Sequence, residues 1–223
     1  MSGSAIIGVT GIGWVDAAAY GCVRQATTTV YAGPGQAPWR NTGLFSYPVK
    51  NLGRFDAPTR LACAVCALAL QDAGLRYAEG VKQEIGLLGS NDDGCLAANR
   101  AFFQDYVESG RTLARGNLFI YTLPSSPLAE TAIHFGFRGP VMYVGFEANG
   151  LGALLHTAAG LVREGQAEAV VVLKSDGLEG LGFTVAPLVA AGGGWTLESA
   201  AAPAEVAGTV RDAVTRLESG RCT

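Results

Sequence analysis

L-P-S-S-P-L-A-E-T-A-I-H-F-G-F-R-G-P-V-M-Y-V-G-F-E-A-N-G-L-G-A-L, residues 123–154, packs a helix, a strand and the start of a second helix into one continuous stretch. Ser126-Pro127 opens the first helix, because the fixed φ of proline suits an initial turn. Gly136 ends it in the left-handed cap that glycine adopts at little cost. Gly139-Pro140 interrupts the chain, and V-M-Y-V-G (141–145) is an apolar run of the length of a buried strand. A Gly/Ala-rich helix is expected from about 149 to 163, followed by the strand A-V-V-V-L at 169–173.

The same alternation extends in both directions. Upstream, S-A-I-I-G-V-T (4–10) reads as a first strand feeding a turn at Gly11-Ile12-Gly13. Those glycines lack the third glycine and the Lys-Ser/Thr pair of a nucleotide-binding loop, so a tight turn suffices. From about 28 to 54, Pro34, Pro38 and Pro48 mark an irregular excursion. Asp56 then caps a helix with Pro58 in its first turn, an apolar run through Leu61, Val65, Leu68 and Leu70, and Gly74 at its end. E-I-G-L-L-G-S (84–90) reads as a strand, and Asn91-Asp92-Asp93 as the cap of a helix with Phe102, Phe103 and Tyr106 on one side. Downstream, strands are expected near 181–189 and 194–199, joined through Gly192-Gly193-Gly194. Strands that are continuously apolar and separated by helices predict an α/β fold: a mostly parallel, five-stranded sheet with helices on both faces. Residues 1–199 form one domain in this reading, and 200–223 a peripheral helical tail.

Composition narrows the function. The 223 residues are 49% hydrophobic and 16% charged, enough for one domain with a large core. A net charge of -3 with scattered basic residues argues against nucleic acid as a partner. No apolar run reaches the roughly 18 residues of a membrane span, and the start M-S-G-S-A has no basic leader, so a cytoplasmic location is expected. The five cysteines, Cys22, Cys63, Cys66, Cys95 and Cys222, sit among Ala, Val and Leu and read as reduced thiols. Cys63-Ala-Val-Cys66 has metal or redox spacing, but inside an apolar helix with no second pair it reads as core packing.

Several strings, in order, resemble the β-ketoacyl synthases of fatty-acid and polyketide assembly: V-T-G-I-G (9–13), A-L-Q-D-A-G-L (69–75), I-G-L-L-G-S (85–90), residues 123–140 as quoted, and A-N-G-L-G-A-L (148–154). The resemblance implies the N-terminal half of a thiolase-like fold. In that family the turn after the third strand carries a cysteine in a pattern like T-A-C-A-S-G at the start of a buried helix. Gly145-Phe146-Glu147-Ala148-Asn149-Gly150 stands at that place here, so Glu147 occupies the nucleophile position, with Phe146, Ala148, Asn149 and Gly150 as pocket residues. A helix start can stabilise a thiolate, which accepts an acyl group as a thioester; a carboxylate cannot form that thioester. The family also uses two histidines from its C-terminal half to activate a malonyl carboxylate and stabilise the developing charge. The chain is expected to end before that half, and neither His134 nor His156 matches either position.

The resemblance therefore implies a non-condensing subunit that pairs with a full-length β-ketoacyl synthase, as chain-length factors do, or with a second copy of itself. Pairing would run through residues 139–146, with an acyl carrier protein as a further partner and neither cofactor nor metal. Two other readings stay open. One is a carrier-protein-dependent decarboxylase or acyltransferase using Glu147, helped by Asn149; the other is an acyl-binding or assembly protein. Glu147 could also be a plain surface glutamate near a helix start. Lys174-Ser175-Asp176 lies where α/β sheets place functional groups, yet suits a solvated strand-to-loop junction. His134 is expected to make a structural hydrogen bond.

Overall fold

The computed structural model describes residues 6–32, 36–40, 43–112, 115–145, 150–188 and 193–220. Its centre is a mixed sheet of β1 (Ile7–Val15), β2 (Ala19–Cys22), β3 (Thr27–Val30), β4 (Ile85–Asn91), β5 (Val141–Tyr143), β6 (Ala169–Asp176) and β7 (Glu179–Pro187), in the order β3-β2-β1-β7-β6-β4-β5. The α/β class holds, whereas the expected five mostly parallel strands become, among the described residues, seven in a mixed sheet. Only the β4–β5 and β4–β6 pairs are parallel. β6 runs into β7 through Gly177-Leu178, with Gly177 at φ 56°, and so short a connection can return the chain only antiparallel. β1, β2 and β3 are likewise antiparallel neighbours. Parallel pairing survives only where a helix carries the chain across the sheet.

Helices cover both faces, as expected. On one lie α1 (Ala57–Ala73) and α4 (Ser126–Phe135). On the other lie α5 (Gly150–Arg163), α6 (Leu197–Val206) and α7 (Val210–Ser219). β6 divides its side chains between the two: Val171 and Leu173 join the α1/α4 core, while Val170 and Val172 join the α5/α6/α7 core. This is the period-two alternation of a strand buried on both sides.

The expected turn at Gly11-Ile12-Gly13 lies inside β1, which continues to Val15. The glycines serve packing instead. A Cβ on Gly11 would sit 2.2 Å from the Ala73 nitrogen, and one on Gly13 would sit 2.4 Å from the Ala69 nitrogen, so their absence lets α1 lie directly on the strand. Asp72, at the end of α1, completes the junction by accepting the amides of Ile12, Arg24 and Gln25.

Asp56 caps α1 as expected, accepting from the Thr59 amide at 3.0 Å, and Gly74 and Gly136 end α1 and α4 in the left-handed conformation. Helix α2 (Leu96–Glu108) differs. Its N-cap is Cys95, without a side-chain cap, because Asn91 is still in β4 and its amide bonds the Gly94 carbonyl. The aromatic side of α2 does not enter the core: none of its residues is buried, and Phe103 is 65% exposed. The strand expected at 194–199 reduces to bridging at Gly194 and Trp195, the latter opposite Val9, because Thr196 caps α6 by accepting from the Ser199 amide. Gly192 of the expected turn lies outside the described residues. Helix α6 spans the expected boundary at 199/200. The tail beyond it contributes buried Ala213, Val214 and Leu217 to the core, and Arg211 pairs with Asp16 at 2.7 Å while its guanidinium lies 4.4 Å from the Trp14 ring centroid.

Candidate functional site

The carboxyl ends of β4, β5 and β6 converge on one side of the sheet, where open α/β sheets place ligands. The Tyr143 hydroxyl at the end of β5 donates to Asn91 Oδ1 at 2.9 Å and so ties β5 to the end of β4. Beside them opens a cavity of about 450 Å³. Its walls come from the start of α1, from α2, from α3 (Gly116–Phe119) with the 3₁₀ turn that follows it, and from the β6–β7 turn. Ala57, Pro58, Leu96, Leu118, Leu123 and Pro124 make it mainly apolar, while Asp56, Asp93 and Asp176 place carboxylates on it. The volume and lining suit a hydrocarbon chain with a polar head.

Cys95 borders this cavity. Its thiol donates to the Thr122 carbonyl at 2.9 Å and accepts from the Asn99 side-chain amide at 3.1 Å. The other described thiols belong to the core: burial pushes Cys22 and Cys63 up to about 12 and raises Cys66 well above its ordinary value, so none of the three is an available nucleophile. Cys63 lies 3.4 Å from the Thr131 hydroxyl, in agreement with the core-packing reading of the Cys63/Cys66 pair. Among the described residues no His/Cys/Asp/Glu group could hold a metal ion, and no helix is long and apolar enough to cross a membrane.

Phe146, Glu147, Ala148 and Asn149 lie outside the described residues, between the end of β5 and the start of α5. Gly150 is the first residue of α5. The first turn of that helix has no acidic residue of its own, but the Gly152 amide donates to Glu205 Oε1 of α6 at 2.8 Å. Glu205 carried no sequence signal, because the contact joins positions 53 residues apart.

Lys174, Ser175 and Asp176 are the last residues of β6 and lead into the Gly177-Leu178 turn, with Asp176 exposed. Asp176 touches both the large cavity and a second one of about 270 Å³ bordered by Asp92, Lys174 and Glu179. His134 lies at the opposite end of the molecule, near the start of β4, among the rings of Phe45, Tyr47, Tyr77 and Phe135. Its backbone carbonyl accepts from the Tyr47 hydroxyl, but its buried Nε2 has no partner, so the expected side-chain hydrogen bond is missing there. Burial among the rings pushes His134 down to about 4. His156 is exposed and lies 3.5 Å from Glu198.

Residues 12–179 match the family described as beta-ketoacyl synthase, N-terminal domain. The tetracenomycin polyketide synthase ketoacyl synthase alpha subunit of Streptomyces glaucescens is 31% identical over 134 residues, 55% of this chain and 30% of that protein. The chain thus spans under a third of that curated relative. Among solved structures, the ishigamide ketosynthase/chain length factor superposes with a TM-score of 0.62 at 12% identity, covering 83% of this chain and 59% of that one. A beta-ketoacyl synthase from Burkholderia phymatum gives 0.59 at 14% identity, over 82% and 59% of the two chains. A ketosynthase in complex with its chain length factor from Xenorhabdus doucetiae gives 0.56 at 10% identity, over 83% and 80%. At these identities the likeness is one of fold.

Proposed function

Because this chain belongs to the β-ketoacyl synthase family, we propose that it is a ketosynthase-like subunit of a polyketide or fatty-acid assembly system that pairs with a complete synthase and does not itself condense acyl units. What carries the reading is the sequence between β5 and α5, Gly145-Phe146-Glu147-Ala148-Asn149-Gly150, which contains no cysteine and in which we take Glu147 as the counterpart of the family's acyl-accepting cysteine. Without a thiol there, the covalent acyl intermediate has no attachment point.

The unpartnered surface supports pairing. β5 is the edge strand of the sheet, with Val141 and Met142 more than a third exposed, and its far side offers a free row of backbone groups to a partner strand. Elsewhere on the surface, the α2–α3 region exposes Leu96, Phe103, Val107, Phe119, Ile120 and Leu123. An apolar patch of this kind marks an interaction surface. Co-expression with a tagged complete synthase of the same system is expected to yield a co-purifying complex that Val141→Lys together with Met142→Lys abolishes. A wild-type chain that stays monomeric alone and beside the synthase would overturn the reading. A homodimer without the heteromer would replace the synthase partner with a second copy.

The cavity of about 450 Å³ favours a second reading, an acyl-binding subunit; its enzymatic form would decarboxylate or transfer acyl groups from a carrier protein with Glu147 as acid or base. Malonyl-carrier protein should then release carbon dioxide with the wild type and not with Glu147→Ala; no release from the wild type removes the enzymatic form.

A further inference from the structure

We infer that the cavity at the carboxyl ends of β4 and β6 takes an alkyl chain headed by a protonated amine, an assignment that deepens the acyl-binding reading and rests on it for the alkyl part. A volume of about 450 Å³ and a wall that includes Ala57, Pro58, Leu96, Leu118 and Leu123 fit a hydrocarbon segment. The polar atoms decide the head group. Asp56, Asp93 and Asp176 come to this one cavity from the start of α1, the β4–α2 turn and the end of β6, and no Lys, Arg or His is among the described residues that line it. Asp93 and Asp176 are exposed, which puts their carboxylates at the solvent side, while Asp56 is half-buried and caps α1.

The donors on the wall are already engaged. The Asn91 side-chain amide bonds the Gly94 carbonyl at 3.0 Å, the Cys95 thiol the Thr122 carbonyl at 2.9 Å, and the Tyr121 hydroxyl the Arg54 carbonyl at 3.3 Å. Cations on the flanking elements are directed elsewhere. Arg60 of α1 donates to the carbonyls of Leu52 and Gly53, Arg115 at the start of α3 pairs with Asp105 at 2.7 Å, and Lys174 borders the neighbouring cavity together with Asp92 and Glu179. What the cavity offers a ligand head is therefore negative charge and acceptors. An ammonium group has three donors and no acceptor, and so complements it; a carboxylate head brings only acceptors and meets like charge.

The test uses decylamine, decanol and decanoate, each below its aggregation concentration, with the full chain at pH 7. Cys95, half-buried at the cavity border, reports occupancy through its rate of iodoacetamide alkylation, followed by peptide-resolved mass spectrometry. Decylamine is expected to protect Cys95 with a Kd at least about tenfold below that of decanoate, with decanol between them. Asp93→Asn together with Asp176→Asn should close most of that gap while leaving protection by decanol unchanged; Asp56 is kept because it caps α1. Equal protection by the three compounds, or a preference for decanoate, would overturn the amine head and leave an alkyl-binding cavity standing. A preference for decylamine that survives both substitutions would also overturn it, since the selectivity would then arise outside this cavity. Protection by none of the three would overturn the assignment and the acyl-binding reading together. Pairing with a synthase is measured separately by co-purification.

Discussion

His134 shows how one side chain can tie stability to pH. Its ring sits among four aromatic side chains with Nε2 buried and unbonded, and burial holds it down to about 4 from an ordinary 6.5. The unfolded chain therefore binds a proton through the interval from about 6.5 to about 4 that the folded chain refuses. Stability is fully present above 6.5 and declines as pH falls toward 4, below which this contribution no longer changes. Glu79 opposes the shift without reversing it. Urea denaturation at pH 7 and at pH 4.5 should show a smaller loss in His134→Phe than in the wild type; equal losses would assign the acid sensitivity elsewhere. None of this was legible in the sequence, because the aromatic partners Phe45, Tyr47 and Tyr77 come from segments far from residue 134. The glycines of V-T-G-I-G were legible as important positions but not as contact points, since only the packed structure brings Ala69 and Ala73 against them.

At the scale of the element, helices were read well wherever their ends carry their own chemistry. Asp56 with Pro58 fixes the start of α1, Ser126-Pro127 begins α4, and Gly74 and Gly136 close both. Gly136 is doubly constrained, with φ at 70° and the Val81 carbonyl 2.3 Å from where a Cβ would be. Gly136→Ala is accordingly expected to cost about 1–3 kcal/mol in a denaturation experiment. At Gly74, which has the same φ class but open space around it, alanine should cost less. Equal costs would show that backbone conformation alone governs both. Strands fared less well. β3, T-T-T-V, is exposed at every position, so the apolar signal that marks a buried strand is missing, and β2 is a four-residue segment leading into it. The stretch at 194–199 is apolar enough for a strand, but the local cap at Thr196 decides for a helix.

Across the whole molecule, the two cores share one sheet, and the last helices belong to it. Leu217 is fully buried in the same cluster as Ile12, Phe183 and Trp195. Leu217→Ala should lower stability by about 2–5 kcal/mol. Denaturation followed by circular dichroism is expected to remain a single transition with an unchanged m-value. Two separate transitions would mean that 200–223 folds apart from the rest, as a reading of its polar composition alone suggests. The candidate site was legible only in outline: motif order located the turn before α5, whereas the apolar cavity is assembled from α1, α2, α3 and the β6–β7 turn and leaves no pattern along the chain.

Both fully buried indoles touch α7. Trp14 carries the Arg211 guanidinium over its ring, and Trp195 donates its Nε1 hydrogen to the Leu217 carbonyl at 3.1 Å. The seating of the last helix is thereby written into the intrinsic fluorescence of the protein. Its release would expose or repolarise two emitters at once, giving an optical gauge that needs no added dye.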